Sequence, residues 1–210
     1  MRSSVPMPGN PWPHDMQITI EDSPHALHEL LWIREAWSLK PEGADLPPLL
    51  SSTPPVVDDA PPDSLTDWQD AWPEIWRACV AHAGIPADPT IFERLTSAAV
   101  GSPERADLLA QLVGPSWRDH FGSEALTTEF TSWEAAQHRA LRSRMSTPDA
   151  ESPERRSLDA LVPAWRAGLT KLILIPCRGS YTRPIGSASL LLTEETRNDP
   201  TRYAAALRNQ

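Results

Sequence analysis

The sequence has little of what marks a secreted, metal-binding or membrane protein. Its 210 residues include two cysteines, Cys79 and Cys177, which lie far apart and form no CxxC pair. This spacing argues against a disulfide framework or a zinc-finger array and favours a reducing compartment. No apolar run reaches the roughly 18 residues of a membrane span, and the N-terminus lacks the apolar core of a secretory signal. We expect a cytoplasmic protein without a membrane partner.

Positive charge is also scarce. The formal net charge is −9, and only Lys40 and Lys171 are lysines. Residues 1–164 carry 25 acidic and 12 basic side chains, whereas residues 165–210 carry 3 acidic and 7 basic ones. Because nucleic-acid binding requires clustered basic residues, this balance argues against nucleic acid as a partner. The C-terminal part is the one basic region of an acidic chain.

Proline is abundant and glycine is scarce, since the chain contains 23 prolines and nine glycines. Residues 1–15 are proline-rich and unpatterned, so we expect a disordered tail, with either Met1 or Met16 as the native start. Residues 16–210 form one globular domain by this prediction. Residues 40–63, which we call the strap, contain three Pro-Pro pairs and no sustained period. Since a long structureless loop is uncommon inside a compact domain, we expect the strap to lie on the protein body.

Helix signals dominate the middle of the chain. Alternating apolar residues at 16–20 predict a strand, and an amphipathic run over 23–39 predicts a helix after it. Later amphipathic runs begin at Asp-Pro or Ser-Pro pairs, as helices prefer. They begin at Pro89, Pro103, Pro153 and Pro200, and the first three end at Gly101, Gly114 and Gly168.

Two short runs near the C-terminus, "LTKLILIPC" and "SASLLLT", are almost continuously apolar. Such runs are typical of strands that are buried on both faces. With so few strands, the N-terminal one must pair with the C-terminal hairpin to be stable. The sequence therefore predicts an α+β fold that is predominantly helical, with a small, about three-stranded sheet packed by a central helical block.

The stretch "PCRGSYTRPIG" at 176–186 contains a C-x5-R spacing, from Cys177 to Arg183. Phosphatases use this spacing to place a thiolate beneath a phosphate that backbone N–H groups, an arginine and a helix N-terminus hold. Here a proline and a further strand follow the arginine, so the stretch is better interpreted as a turn between strands. Arg178, Tyr181 and Arg183 remain a candidate site for an anion or an acidic surface.

Three tryptophans, Trp68, Trp72 and Trp76, recur at i, i+4 and i+8. Such a ladder is usually core, but it can also be a platform for a proline-rich segment. We therefore predict that the strap lies across these indoles.

The run "HELLW" at 28–32 resembles the start of the zincin HExxH motif, but Trp32 stands where the second histidine is required. His25 and His28 are thus expected to face solvent and to flank the apolar stripe of their helix, and no metal and no cofactor is predicted. The sequence also lacks the G-x-S-x-G, Walker A and GxGxxG motifs.

Two functional hypotheses result. The first is a non-enzymatic interaction or accessory protein, of the binding or immunity type, whose partner is another protein. The alternative is a cysteine-dependent hydrolase that acts on a phosphorylated or other anionic substrate through Cys177 and Arg183.

Overall fold

Four strands and ten helices make up the part of the chain that the structure, a computed structural model, describes: residues 11–57, 62–86, 88–145 and 152–210. In chain order the elements are β1 (Thr19–Glu21), α1 (His25–Ala36), α2 (Pro62–Ala83), α3 (Ile91–Ser97), α4 (Pro103–Val113), α5 (Trp117–Phe121), α6 (Thr128–Met145), α7 (Pro153–Arg156), α8 (Leu158–Arg166), β2 (Lys171–Ile175), β3 (Thr182–Ile185), β4 (Ser189–Thr193), α9 (Glu194–Asn198) and α10 (Pro200–Arg208). The predicted α+β, predominantly helical fold is confirmed.

The strands form one mixed sheet in the order β1-β2-β4-β3. The strands β1, β2 and β4 are parallel, and β3 pairs antiparallel with β4 at the edge. The register places Ile20 beside Leu172, and Leu172 beside Leu190. The N-terminal strand thus joins the C-terminal ones, as predicted.

The sheet differs from the prediction in its strand number and in its hairpin. The two apolar runs are not hairpin partners, because β2 and β4 lie side by side in parallel. The chain between them crosses to the far edge of β4, forms β3 and returns through a turn at Gly186. The hairpin is β3–β4, and the stretch 176–186 contains an edge strand in addition to a turn.

Both faces of the sheet are covered, which explains the continuous apolar runs. Ile173, Ile175 and Leu191 belong to the core beneath α1 and α2, whereas Leu172 and Leu190 face the core formed with α8 and α10. Successive side chains of a strand point to opposite faces, so a strand between two helical layers is apolar at every position. This layering was predictable from "KLILI" alone.

The predicted helix starts at Pro103, Pro153 and Pro200 are confirmed, whereas α3 begins at Ile91, two residues after Pro89. The side chains of Ser102 and Ser152 accept hydrogen bonds from the backbone three residues later, and that of Asp199 accepts two. The helix α2 continues through Pro73 as one element. The indoles on either side of Pro73 are buried, so packing outweighs the hydrogen bond that proline removes.

Upstream of the first strand, Trp12 is buried in the core beside Met16, and its Nε1 donates to the Met16 carbonyl at 3.2 Å. The packed body therefore begins before the predicted boundary at Met16, because the indole of Trp12, in the proline-rich segment, packs in the apolar core. Residues 1–10 of the predicted tail lie outside the described residues. Within the described ranges, no helix is long and apolar enough to cross a membrane.

The hairpin of α3 and α4 has its own small core. Ile91 and Leu95 of α3 pack with Leu108 of α4, apart from the two large cores. A short helix pair with so few buried side chains leaves much of its apolar surface exposed, and part of this surface lines the cavity described below.

Candidate binding sites

Cys177 follows β2 and has no exposed surface. It forms an isolated antiparallel bridge with Leu50 of the strap. Burial raises the pKa of the Cys177 thiol to about 12, against a smaller lowering by the charge of Arg34. A nucleophilic thiol needs the opposite shift and access to solvent. Arg183 lies within β3 and is followed by more strand, so this arrangement lacks the helix N-terminus that a phosphate loop uses.

The three residues of the predicted anion site separate into two groups. Arg178 is exposed on the turn, where its backbone N–H donates to the Leu49 carbonyl at 2.9 Å. Tyr181 and Arg183 are half-buried and two residues apart on an extended segment, so they point to the same face of the sheet. Tyr181 packs against the core beneath α1 and α2. The structure thus brings Tyr181 and Arg183 together and leaves Arg178 at the rim.

Residues 40–57 of the strap lie on the protein body. The Arg178–Leu49 bond and a bond from Ser51 N–H to the Pro176 carbonyl, both 2.9 Å, flank the Leu50–Cys177 bridge. Val57 donates to the Ala36 carbonyl at 2.8 Å, which fixes the strap to the end of α1. The rest of the predicted strap includes residues 58–61, which lie outside the described residues.

Trp68, Trp72 and Trp76 are buried in the core. Trp72 and Trp76 stack with 5.4 Å between ring centroids, and Trp72 donates to the Leu30 carbonyl at 2.8 Å. The ladder therefore packs α2 against α1. Strap docking on the indoles remains a prediction for Trp68 and Trp76.

Arg34 links Trp72 to the strap. Its guanidinium lies 5.4 Å from the Trp72 ring centre and donates to the carbonyls of Pro47 at 2.7 Å and Pro48 at 2.6 Å. Sequence reasoning missed this residue, because an arginine near a helix C-terminus ordinarily faces solvent.

The two histidines of α1 have opposite environments. His25 is half-exposed and lies 3.1 Å from Glu29 and 2.7 Å from Glu134, and its hydrogen bond to Glu29 is the main reason that its pKa is raised. The expectation that His28 faces solvent is wrong, because its side chain is buried beside Trp133. Burial lowers the pKa of His28 to about 3. In the described ranges, no group of three or more His, Cys, Asp or Glu side chains is arranged to hold a metal ion.

A cavity of about 610 Å³ opens between the start of α1, the end of α2 and the α3–α4 hairpin. We call it the apolar groove. Four of its lining side chains are large, apolar and exposed: Ile85, Phe92, Leu112 and Val113. At its sheet end, Lys171 pairs with Glu21 at 2.7 Å.

Sequence reasoning missed the apolar groove, although one signal was present. The helix α4 carries apolar residues on two faces, and only Leu108 is needed for the hairpin core. The outward Leu112 and Val113 had no assigned partner, but which element they face depends on the tertiary packing of a short helix pair.

A scan of the chain against protein-family models found no match, and searches of curated proteins and of solved structures likewise found none.

Proposed function

We propose that this protein is a non-enzymatic interaction protein that binds a segment of another protein in the apolar groove. The observation that carries the proposal is the group of exposed apolar side chains around a ligand-sized cavity. Phe92, for example, is 66% exposed although it is among the largest apolar residues of the chain. Exposed apolar patches of this kind mark interaction surfaces in folded proteins, and cavities of several hundred Å³ are the usual size of binding pockets.

The occupant that fits is an amphipathic helix with lysine or arginine beside its apolar stripe. Apart from Lys171, the groove walls come from residues 1–164, the strongly acidic part of the chain. Near the groove, Glu21 is neutralised by Lys171 and Asp88 by Arg94, at 2.7 and 3.3 Å. An apolar stripe would therefore meet an apolar floor, and its flanking cations suit the negative charge of residues 1–164 as a whole, which is the helix-in-groove mode of recognition.

The environment of Cys177 supports this proposal over the hydrolase alternative, because a buried thiol with a pKa of about 12 is not a nucleophile near neutral pH. Both cysteines are free, which suits the reducing cytoplasm that we include in the proposal. Nucleic acid is a poor candidate partner for a chain with a net charge of −9.

The test is a titration with two synthetic amphipathic peptides, one built of leucine and lysine and the other of leucine and glutamate. Binding is measured by the fluorescence anisotropy of a label on the peptide. Phe92→Glu places a charge in the apolar groove. Val100→Glu is the matched control, because Val100 is 92% exposed at the α3–α4 turn and does not line the groove.

The proposal predicts that the leucine–lysine peptide binds the unaltered protein and Val100→Glu, and that Phe92→Glu weakens this binding about 10-fold or more. The leucine–glutamate peptide should bind much more weakly. Equal binding by Phe92→Glu and Val100→Glu would contradict the proposal. A concentration-dependent dimer that only Phe92→Glu abolishes would also contradict it, since the groove would then bind a second copy of the chain.

A further inference from the structure

A second, independent site is indicated by three side chains around the strap. Arg34 is only 5% exposed, and Tyr181 and Arg183 are half-buried. The Nε of Arg34, the hydroxyl of Tyr181 and one terminal nitrogen of Arg183, Nη1, are buried and have no hydrogen-bond acceptor among the residues that the structure describes. We call these three residues the donor cluster. Buried polar groups are nearly always paired, and a charged donor without an acceptor is costly.

The members of the donor cluster lie in one neighbourhood. Arg34 and Tyr181 both lie near the Cys177 thiol, Arg34 from α1 and Tyr181 from the segment that enters β3. The guanidinium of Arg183 lies beside the Tyr181 hydroxyl and opposes the increase in the Tyr181 pKa that burial causes. The Arg183 guanidinium is within hydrogen-bonding reach of the Tyr181 oxygen as a donor. This contact uses the hydroxyl as an acceptor, so the Tyr181 O–H and the Nη1 of Arg183, which have no acceptor among the described residues, can donate to a third group.

The described part of the strap supplies backbone acceptors to the Arg34 side of this cluster. Arg34 uses both terminal nitrogens, Nη1 and Nη2, on the carbonyls of Pro47 and Pro48 and keeps its Nε for another acceptor. The carboxylate of Glu35 lies 3.5 Å from Arg34 and accepts from the backbone N–H of Leu50. The exposed Asp45 is the other carboxylate close to Tyr181.

We propose that the donor cluster binds a small oxyanion, the phosphate or carboxylate group of a ligand, between the strap and β3. An oxyanion has several acceptor oxygens and a negative charge, and arginine side chains bind such groups through charge-assisted hydrogen bonds. The Tyr181 hydroxyl supplies a neutral donor beside them, and the exposed Arg178 increases the positive potential at the entrance. Asp45 repels the ligand and sets an upper limit to its affinity.

The test follows the arginine Nε–H signals by NMR while inorganic phosphate is added at constant ionic strength, with sodium acetate in a parallel titration. Arg183→Gln removes a charged donor, and Tyr181→Phe removes only the hydroxyl. Arg202→Gln is the matched control, because Arg202 is an exposed arginine of α10 on the other side of the sheet. Circular dichroism establishes that each variant is folded, and the milder Tyr181→Phe provides the test if Arg183→Gln is not.

The inference predicts saturable binding that weakens about 10-fold in Arg183→Gln and several-fold in Tyr181→Phe, with no change in Arg202→Gln. Asp45→Asn should strengthen the binding. Tighter binding of phosphate or of acetate identifies the ligand group, and either result supports the site. No saturable shift with either anion, or equal affinity in the unaltered protein and in both donor variants, would overturn it. Phe92→Glu should leave anion binding unchanged, which separates this site from the apolar groove.

Discussion

Arg197 binds Glu154 through two parallel hydrogen bonds, from Nε to Oε1 at 2.7 Å and from Nη2 to Oε2 at 2.9 Å. The Glu154 side chain is almost fully buried, and the Tyr203 hydroxyl donates to the same Oε1 at 3.2 Å. These contacts join α7, α9 and α10 below the sheet. Bidentate arginine–carboxylate pairs of this geometry are among the strongest polar contacts in proteins.

We therefore predict that Glu154→Gln lowers the free energy of unfolding by about 3 kcal/mol, because it removes the carboxylate that pairs directly with the largely buried Arg197 charge. Asp159→Asn is the control. It removes an exposed pair with Arg208, at 3.1 Å, and should cost less than about 1 kcal/mol. Denaturant unfolding measures both, and similar losses in the two variants would show that the buried network has no special role.

The strap should be an integral part of the fold. Leu50 is 1% exposed and belongs to the main core, whereas its neighbour Leu49 is 44% exposed. Leu50→Ala is expected to cost about 3 kcal/mol and Leu49→Ala less than about 0.5 kcal/mol. If thermal unfolding shows the same small effect for both, the strap does not contribute to stability.

His28 should make the protein sensitive to acid. In the unfolded chain, its imidazole takes up a proton near the ordinary pKa of 6.5, but burial lowers the pKa in the folded state to about 3. The free energy of unfolding therefore falls as the pH decreases from 6.5 towards 3. His28→Phe removes this effect. Between about pH 7 and about pH 4, the free energy of unfolding of this variant should therefore fall by roughly 3 kcal/mol less than that of the unaltered protein.

His25→Gln is the control for this pH dependence, because the sign of the effect is opposite. The raised pKa of His25, due first to its bond with Glu29, gives stability that is present below pH 6.5 and lost as the pH rises through the folded-state pKa. His25→Gln should thus be more destabilising in mild acid than in mild alkali. Parallel pH profiles for the two variants would contradict both assignments.

The two cysteines should react slowly in the folded protein. Burial raises the pKa of Cys79 and of Cys177 to about 12. At about pH 8, iodoacetamide should modify neither thiol at an appreciable rate until denaturant is added. The single variants Cys79→Ser and Cys177→Ser assign any reaction by mass spectrometry. Fast modification of Cys177 in the folded state would revive the hydrolase alternative.

Local patterns predicted much of the fold. The Ser-Pro and Asp-Pro signals located helix starts because Ser102, Ser152 and Asp199 cap the following turn with their own side chains. The run "KLILI" indicated burial on both faces because it is apolar at four consecutive positions. Each of these signals depends only on residues that are close together in the sequence.

Features that depend on distant contacts could not be predicted in this way. The strand β3 has little apolar character, and it forms because it pairs with the edge of β4. The apolar groove depends on how the α3–α4 hairpin sits against the rest of the chain. The role of Arg34 depends on where the strap crosses α1, 13 and 14 residues further along the chain.

Of the candidate site residues, Tyr181 and Arg183 were predicted and are neighbours, whereas Arg178 lies at the rim. The spacing of a strand placed the first two on one face, but nothing in the sequence specifies the direction of the turn before them.

The central claim, that the apolar groove is a docking surface for a basic amphipathic helix, is tested most directly by amide hydrogen exchange. The protein is saturated with the leucine–lysine peptide and exchange is compared with that of the free protein. The account predicts slower exchange in α3, α4 and the end of α2, with the strap unchanged. Protection confined to the strap or to α8 and α10, or no protection at saturation, would contradict it.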